Sequence, residues 1–225
     1  MQELLERVDL VVEAFSFLTA ALIALGSLLA YMKTHKQRTL AFSGAFVFIA
    51  VGALLSLVFN WFVELEATVV PVRGYIQIGF FLSLLLLLSM LSTIIGFLLL
   101  FIINERISSV KEILLLLLLA PLGTWVAHEI YIGYHIILLV LTIMIFHFYY
   151  QAHRESCTGH SLAVAIAFAA LLFSQVALTL FPVLGAGIYV IGQTIRGIGF
   201  TILLITLASI YRSTRLPKVS KRAKA

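Results

Sequence analysis

Seven long apolar stretches, separated by short polar breaks, occupy nearly the whole chain. Each approaches the length of about 20 residues that an α-helix needs to cross the hydrocarbon core of a bilayer. Strands of a membrane barrel would alternate apolar and polar residues, and runs such as Leu84–Leu88 and Ile113–Leu119 do not. We therefore predict transmembrane helices, which we number as spans one to seven, at Leu10–Tyr31, Leu40–Phe62, Tyr75–Ile103, Ile113–Tyr131, Tyr134–Tyr150, Ser161–Phe181 and Ala186–Tyr211.

The composition excludes an ordinary soluble domain. Of the 225 residues, 62% are hydrophobic and 11% are charged, whereas a soluble domain is about half apolar and about a quarter charged. We predict an all-α membrane bundle forming one domain over residues 1–211, followed by a basic tail at 212–225. The amino-terminal MQELLERVD is acidic, unlike a signal peptide, and Cys157 is the only cysteine, so no internal disulfide is expected.

Lys and Arg residues concentrate in alternate breaks, which predicts the orientation of the bundle. Twelve lie in the first, third and fifth breaks and in the tail, at Lys33, Lys36, Arg38, Arg106, Lys111, Arg154, Arg212, Arg215, Lys218, Lys221, Arg222 and Lys224. Only Arg7 and Arg73 lie in the other breaks. The positive-inside rule places the amino terminus outside and the carboxyl terminus in the cytoplasm of a multi-pass cell-membrane protein. The tail is expected to lie near anionic lipid head groups or to dock a cytoplasmic protein, with no role in binding nucleic acid.

The sequence also contains a candidate internal repeat. The first hairpin, AYMKTHKQRTLAFSGAFVFIAVGALLSLVF, resembles FHFYYQAHRESCTGHSLAVAIAFAALLFSQVALTLF of spans five and six. Span three opens with GYIQIGFFLSLLLLL and span seven with GIYVIGQTIRGIGFTILLIT. Spans one to three would then repeat as spans five to seven in the same orientation, with span four as the linker. Parallel repeats of this kind occur in transporters.

Arg196 is the residue most informative about function. It lies ten residues into span seven, about 15 Å deep and close to the bilayer midplane. A charge at that depth normally faces the bundle interior. Gln193 shares its helical face, and other polar side chains lie in the outer halves of four further spans, at Glu13, Asn60, Gln77 and Gln175.

These six residues are the predicted ligand-binding site, with two interpretations open. In the first, Arg196 anchors a small polar or anionic ligand in a pocket that opens outward. In the second, Arg196 pairs with Glu13, or is held by Gln175 and backbone carbonyls. The pair with Glu13 requires both side chains to be extended, or the first helix to start deeper in the membrane, because Glu13 lies roughly 10 Å shallower than Arg196 by residue count.

Histidines supply weaker candidates for a metal site. His128 and Glu129 end span four and His135 begins span five, so the turn between them could hold zinc. Adjacent residues on a helix diverge, however, and His135 and His147 are about 120° out of phase. No HExxH or CxxC spacing is present. We predict no metal and no cofactor, and keep a haem- or quinone-linked electron carrier as the second alternative function.

Other polar and small residues favour helix packing. Gly192, Gly197 and Gly199 are expected to let span seven pack closely. The serines of span three, at Ser83, Ser89 and Ser92, are expected to bond between helices. The only aspartate is Asp9, so no Ser/His/Asp arrangement can form inside the membrane. We therefore predict a protein that is not an enzyme.

Two segments carry a resemblance to a known class. SLLAYMKTHKQRTLAFSGAFVFIAVGALL and GIGFTILLITLASIYR resemble the seven-helix sensor modules at the front of many archaeal and bacterial signalling proteins. Only fourteen residues follow Tyr211, so no kinase or cyclase output is expected. Microbial rhodopsins share the layout but need a lysine in the last helix, and span seven has none. The parallel three-one-three layout also looks like small sugar transporters.

The resemblance implies a non-enzymatic sensor or receptor-like membrane protein that binds a small ligand in its outer half. A signal would then pass to a partner at the basic tail. A small secondary transporter of a polar or anionic solute is the first alternative.

Overall fold

The computed structural model describes residues 2–69, 75–105, 107, 109, 112–116 and 131–215. The described chain is helical and contains no strand. Its helices are α1 (Gln2–Thr34), α2 (Gln37–Val69), α3 (Tyr75–Glu105), α4 (described over residues 112–116), α5 (Tyr131–Ser156), α6 (Gly159–Leu184) and α7 (Ala186–Arg215).

Six of these helices are long and apolar enough to cross a membrane, which confirms six of the predicted spans. They are Leu10–Thr34, Gln37–Val63, Phe80–Glu105, Ile132–Ser156, Gly159–Leu184 and Ala186–Ile210. The predicted fourth span, Ile113–Tyr131, lies mostly outside the described residues, as do residues 216–225 of the tail. Large apolar side chains cover the outside of the bundle, with Phe80 74% and Phe173 62% exposed. Such a surface favours contact with lipid, and the chain is a multi-pass membrane protein.

The six long helices form a closed ring in chain order. α1 packs against α2, α2 against α3, α3 against α5, α5 against α6, α6 against α7, and α7 against α1. The end at which α1, α3, α5 and α7 begin is called the outer end, after the orientation that the charge pattern predicts, and the opposite end the inner end. The helices therefore enclose a central axis that runs between the two ends.

Two tight turns at the inner end hold neighbouring helices antiparallel. α1 and α2 are joined through His35, with φ of 50°, and α5 and α6 through Cys157, with φ of 49°. The backbone N–H of His35 donates to Tyr31 O at 2.7 Å, and that of Cys157 donates to His153 O at 2.8 Å. Cys157 is free and exposed, as the sequence predicts.

Small and hydroxylated residues bring the helices of each hairpin close together. Ser89 Oγ donates to Gly52 O at 2.9 Å, and Ser92 Oγ donates to Phe48 O at 2.7 Å, which confirms the interhelical role of two of the three serines. Ser83 is exposed instead. In the other half, Gly192 lies against Leu178, and Gly199 lies against Leu171 and Ala167, so close packing by these glycines is also confirmed.

Candidate ligand-binding site

Arg196 and Glu13 form a largely buried ion pair between α7 and α1. Arg196 Nη2 donates to Glu13 Oε1 at 2.6 Å, and the two side chains are 17% and 9% exposed. The pair is one of the two arrangements that the sequence left open. The expectation that Glu13 lies shallower in the membrane than Arg196 was wrong, because α1 begins at Gln2, well before Leu10. Glu13 is thus eleven residues into α1 and Arg196 ten into α7, and the two helices run parallel.

The pair leaves polar atoms without partners. Gln193 lies one turn before Arg196, and its Nε2 donates to the Tyr189 hydroxyl at 2.8 Å. Gln193 Oε1 and Arg196 Nε are buried and have no hydrogen-bond partner. Buried polar atoms are almost always bonded, so unpartnered ones indicate a place for water or ligand.

A cavity of about 270 Å³, the outer cavity, adjoins this group. Its polar lining comes from five helices and consists of Glu13, Ser56, Asn60, Ser89, Tyr134, His135, Tyr189, Gln193 and Arg196. Asn60, Glu13, Gln193 and Arg196 are therefore brought together as predicted. The side chain of Gln77 lies outside the described residues.

A second, smaller space, the central cavity, continues along the axis toward the inner end. It has about 50 Å³ and shares Glu13, Ser89, Tyr134, His135 and Arg196 with the outer cavity. Gln175 lines this cavity and not the outer one. The central cavity has room for a few water molecules but not for a solute of metabolite size.

His135 and Gln175 form a direct contact between α5 and α6. His135 Nδ1 lies 2.8 Å from Gln175 Oε1, and both side chains are buried. His128 and Glu129 lie outside the described residues, so their proposed zinc set with His135 is a prediction only. No group of three or more potential metal ligands occurs in the part of the chain that the structure describes.

A third space, the inner cavity, lies on the axis near the inner end. It has about 340 Å³ and is lined by α1, α2, α3, α5, α6 and α7. An apolar layer separates it from the central cavity. Phe97 and Phe200 line the central cavity, and Phe46 and Leu203 line the inner one. All four of these side chains are buried.

Five polar groups of the site did not emerge from the sequence. The central or outer cavity is also lined by Ser16, Ser56, Thr93, Tyr134 and Tyr189. Ser16 lies three residues after Glu13, and Tyr189 four residues before Gln193. Helical spacing from the predicted site residues would have found both. Tyr134 carries no such signal, because tyrosines near span ends are typical of the membrane interface.

No protein-family model, no curated protein and no solved structure matches this chain.

Proposed function

We propose that this protein is a membrane carrier that moves a small polar solute along the axis of its bundle. The observation that carries the proposal is the row of three cavities on that axis. The outer and central cavities contain polar side chains around the Glu13–Arg196 pair, and buried apolar side chains lie between them and the inner cavity. Binding space on the axis, with a barrier between it and one end, is the arrangement that alternating access requires.

An internal repeat adds support to the carrier. The turns at His35 and Cys157 share one backbone geometry. When the two hairpins are aligned at these turns, buried core residues of α2 align with buried core residues of α6. The aligned pairs are Ala45 with Ala167, Phe46 with Phe168 and Ile49 with Leu171. We therefore propose that α1–α3 and α5–α7 are parallel repeats.

The repeat extends to the third helix of each unit. Gly96 lies against Ala45 and Ile49, and Gly199 lies against the corresponding Ala167 and Leu171. This register matches Gly96 with Gly199, and it differs from the alignment of the two helix openings in the sequence.

In the proposed repeat, each residue of the ion pair has a counterpart in the other repeat unit. Glu13 corresponds to His135 and Thr93 to Arg196, and all four line the central cavity. That cavity would then lie between the repeats, where carriers built from repeats bind their substrates.

A seventh span completes the proposed architecture. Thr93 and Tyr134 both line the central cavity, and Asn104 and Tyr149 both line the inner cavity, so α3 and α5 run in the same direction. The chain must therefore return from the inner to the outer end between Glu105 and Tyr131. We propose that Ile113–Tyr131 is the returning span in a cell-membrane protein with its amino terminus outside.

The ion pair favours a neutral or zwitterionic solute over an anion. Glu13 neutralises Arg196, so the outer cavity offers one positive and one negative group at 2.6 Å from each other. A zwitterion can bond to both, whereas an anion must approach the Glu13 carboxylate as well. The cavity of about 270 Å³ sets a small size for this solute.

A sensor or receptor-like protein is the second candidate function, and one observation favours it. α7 carries Arg196 at its outer half and continues as a single helix to Arg215 at the inner end. Ligand binding could thus move the inner end of α7 against a cytoplasmic partner at the basic tail.

Uptake into proteoliposomes tests the carrier. We expect uptake of labelled alanine, a zwitterion, or glucose, a neutral solute, in preference to succinate, an anion. Gln193→Leu removes a buried polar group of the outer cavity and should lower uptake about tenfold, the effect of one lost hydrogen bond of about 1.4 kcal/mol. Thr194→Val, on the exposed side of α7, is the matched control and should leave uptake unchanged. A solute that stabilises the protein against heat but is not taken up would contradict the carrier and favour the sensor.

Labelling of cysteines tests the orientation. In intact cells, an impermeant maleimide should leave Cys157 unlabelled and label it after permeabilisation, because the charge pattern places that turn in the cytoplasm. Leu184→Cys in a Cys157→Ser background should be labelled from outside, since residue 184 is exposed at the opposite end. The reverse pattern of labelling would overturn the orientation.

A further inference from the structure

Two buried donors in the inner cavity have no partner. Asn104 is 2% exposed, and its Nδ2 makes no hydrogen bond. Tyr149 lines the same cavity, and the amide N–H groups of Asn104 have no hydrogen-bond partner. Ser27 is 1% exposed, and its Oγ also has no partner. Both residues line the cavity and offer donors to an acceptor-rich group.

Two cations line the same cavity. Lys36 and Arg38 lie in the break between α1 and α2 and at the start of α2. Neither forms an ion pair with a carboxylate among the described residues. The Arg38 guanidinium instead lies 5.9 Å from the centre of the Phe148 ring. The cavity therefore combines two cations that are not in ion pairs with unpartnered donors, which is the chemistry that binds phosphate or carboxylate groups.

An apolar groove on the lipid-facing side adjoins this cavity. The groove between α1 and α7, here the lateral groove, has about 590 Å³. It shares Ala30, Lys36, Thr39, Leu207 and Ile210 with the inner cavity. Leu22 and Leu204 extend it along the helices toward the bilayer centre. A water-soluble anion would use the cations and donors but would leave this groove empty.

We propose that the inner cavity binds the phosphate head group of one anionic membrane lipid, whose acyl chain lies in the lateral groove. Lys36, Arg38 and Asn104 bond to the phosphate oxygens, and the apolar groove receives the chain. Carboxylates near Arg38 support entry of the lipid from the lateral groove. A neighbouring space there is lined by Glu105 and Glu155, whose carboxylates would repel a phosphate approaching between α3 and α5.

Lipid retention and rebinding test the proposal on the full chain. We expect native mass spectrometry of the protein in a neutral detergent to detect one retained phosphatidylglycerol. Lys36→Gln combined with Arg38→Gln should weaken rebinding of dioleoyl-phosphatidylglycerol roughly thirtyfold, since each basic residue near an anionic lipid is worth about a factor of five. Arg154→Gln with Arg212→Gln is the matched control. It removes two exposed charges of the inner end outside the cavity and should change binding less than twofold.

Further arms separate the sources of the phosphate and the role of the groove. Dioleoyl-phosphatidylcholine should bind at least tenfold more weakly, and inorganic phosphate at millimolar concentration should not raise the melting temperature. Ala30→Phe should block the passage between cavity and groove and abolish lipid retention while the protein keeps its helical circular dichroism. Asn104→Leu removes the amide that donates to the phosphate oxygens and should also weaken rebinding of dioleoyl-phosphatidylglycerol.

Three results would overturn the proposal. They are equal lipid binding by the Lys36/Arg38 variant and the parent, equal loss in the Arg154/Arg212 control, and stabilisation by inorganic phosphate as strong as by the lipid. The proposal does not depend on solute transport, so failure of uptake leaves it standing.

Discussion

Glu13→Gln is expected to destabilise the folded bundle by about 3 kcal/mol, because it leaves Arg196 buried without its counter-charge. Arg196→Gln is expected to cost less, because a carboxylate left alone can take up a proton, whereas a guanidinium cannot release one at ordinary pH. The double variant should recover much of the loss. Thermal unfolding in detergent of the parent, the two single variants and the double variant measures the coupling between the two residues.

The control for this cycle lies on the same helix. Thr194→Val changes an exposed polar residue of α7 near Arg196 and should leave the melting temperature nearly unchanged. A coupling near zero, with both single variants as stable as the parent, would mean that the 2.6 Å contact contributes nothing and that Arg196 is held by other groups.

The long apolar runs made the helices predictable from the sequence. The rotation of each helix about its own axis was not predictable in this way. Span limits were close because hydropathy and the breaks at His35, Cys157 and Gly185 mark the helix ends directly. The predicted start of the first span agrees with the structure, but α1 itself begins at Gln2, because the polar segment QELLERVD continues the helix beyond the apolar run. Counting depth from Leu10 alone made the Glu13–Arg196 pair look too distant.

The composition of the site was only partly predictable. Arg196, Glu13, Gln193 and Asn60 stand out because polar residues are costly in apolar helices. Whether Gln175 faces α5 or the outer cavity depends on the rotation of α6, and the sequence of α6 alone does not determine that rotation. The inner cavity was missed for a similar reason. Asn104 lies near the end of a span, where an exposed amide would be ordinary, and only packing reveals that it is buried.

Gly96→Ala is expected to destabilise the bundle by about 3 kcal/mol, the upper part of the range for overpacked cores. A Cβ on Gly96 would lie 2.8 Å from the backbone oxygen of Ala45 and 2.6 Å from Ile49 Cγ1, so α2 and α3 would have to move apart. The separation would also stretch the serine bonds from α3 to Gly52 O and Phe48 O. The midpoint of thermal unfolding, followed by circular dichroism in detergent, measures this loss.

Two other glycines turn this prediction into a graded series. At Gly199 the nearest atoms are 3.0 Å away and belong to the flexible Leu171 side chain, so Gly199→Ala should cost less than Gly96→Ala. At Gly44 a Cβ meets nothing within 4 Å, and alanine should stabilise α2 by up to about 1 kcal/mol through its higher helix propensity. The midpoint of thermal unfolding should therefore be highest for Gly44→Ala, lower for Gly199→Ala and lowest for Gly96→Ala. If Gly96→Ala unfolds no earlier than Gly44→Ala, the close approach of α3 to α2 at Ala45 is wrong, and the match of Gly96 with Gly199 on which the proposed repeat depends is lost with it.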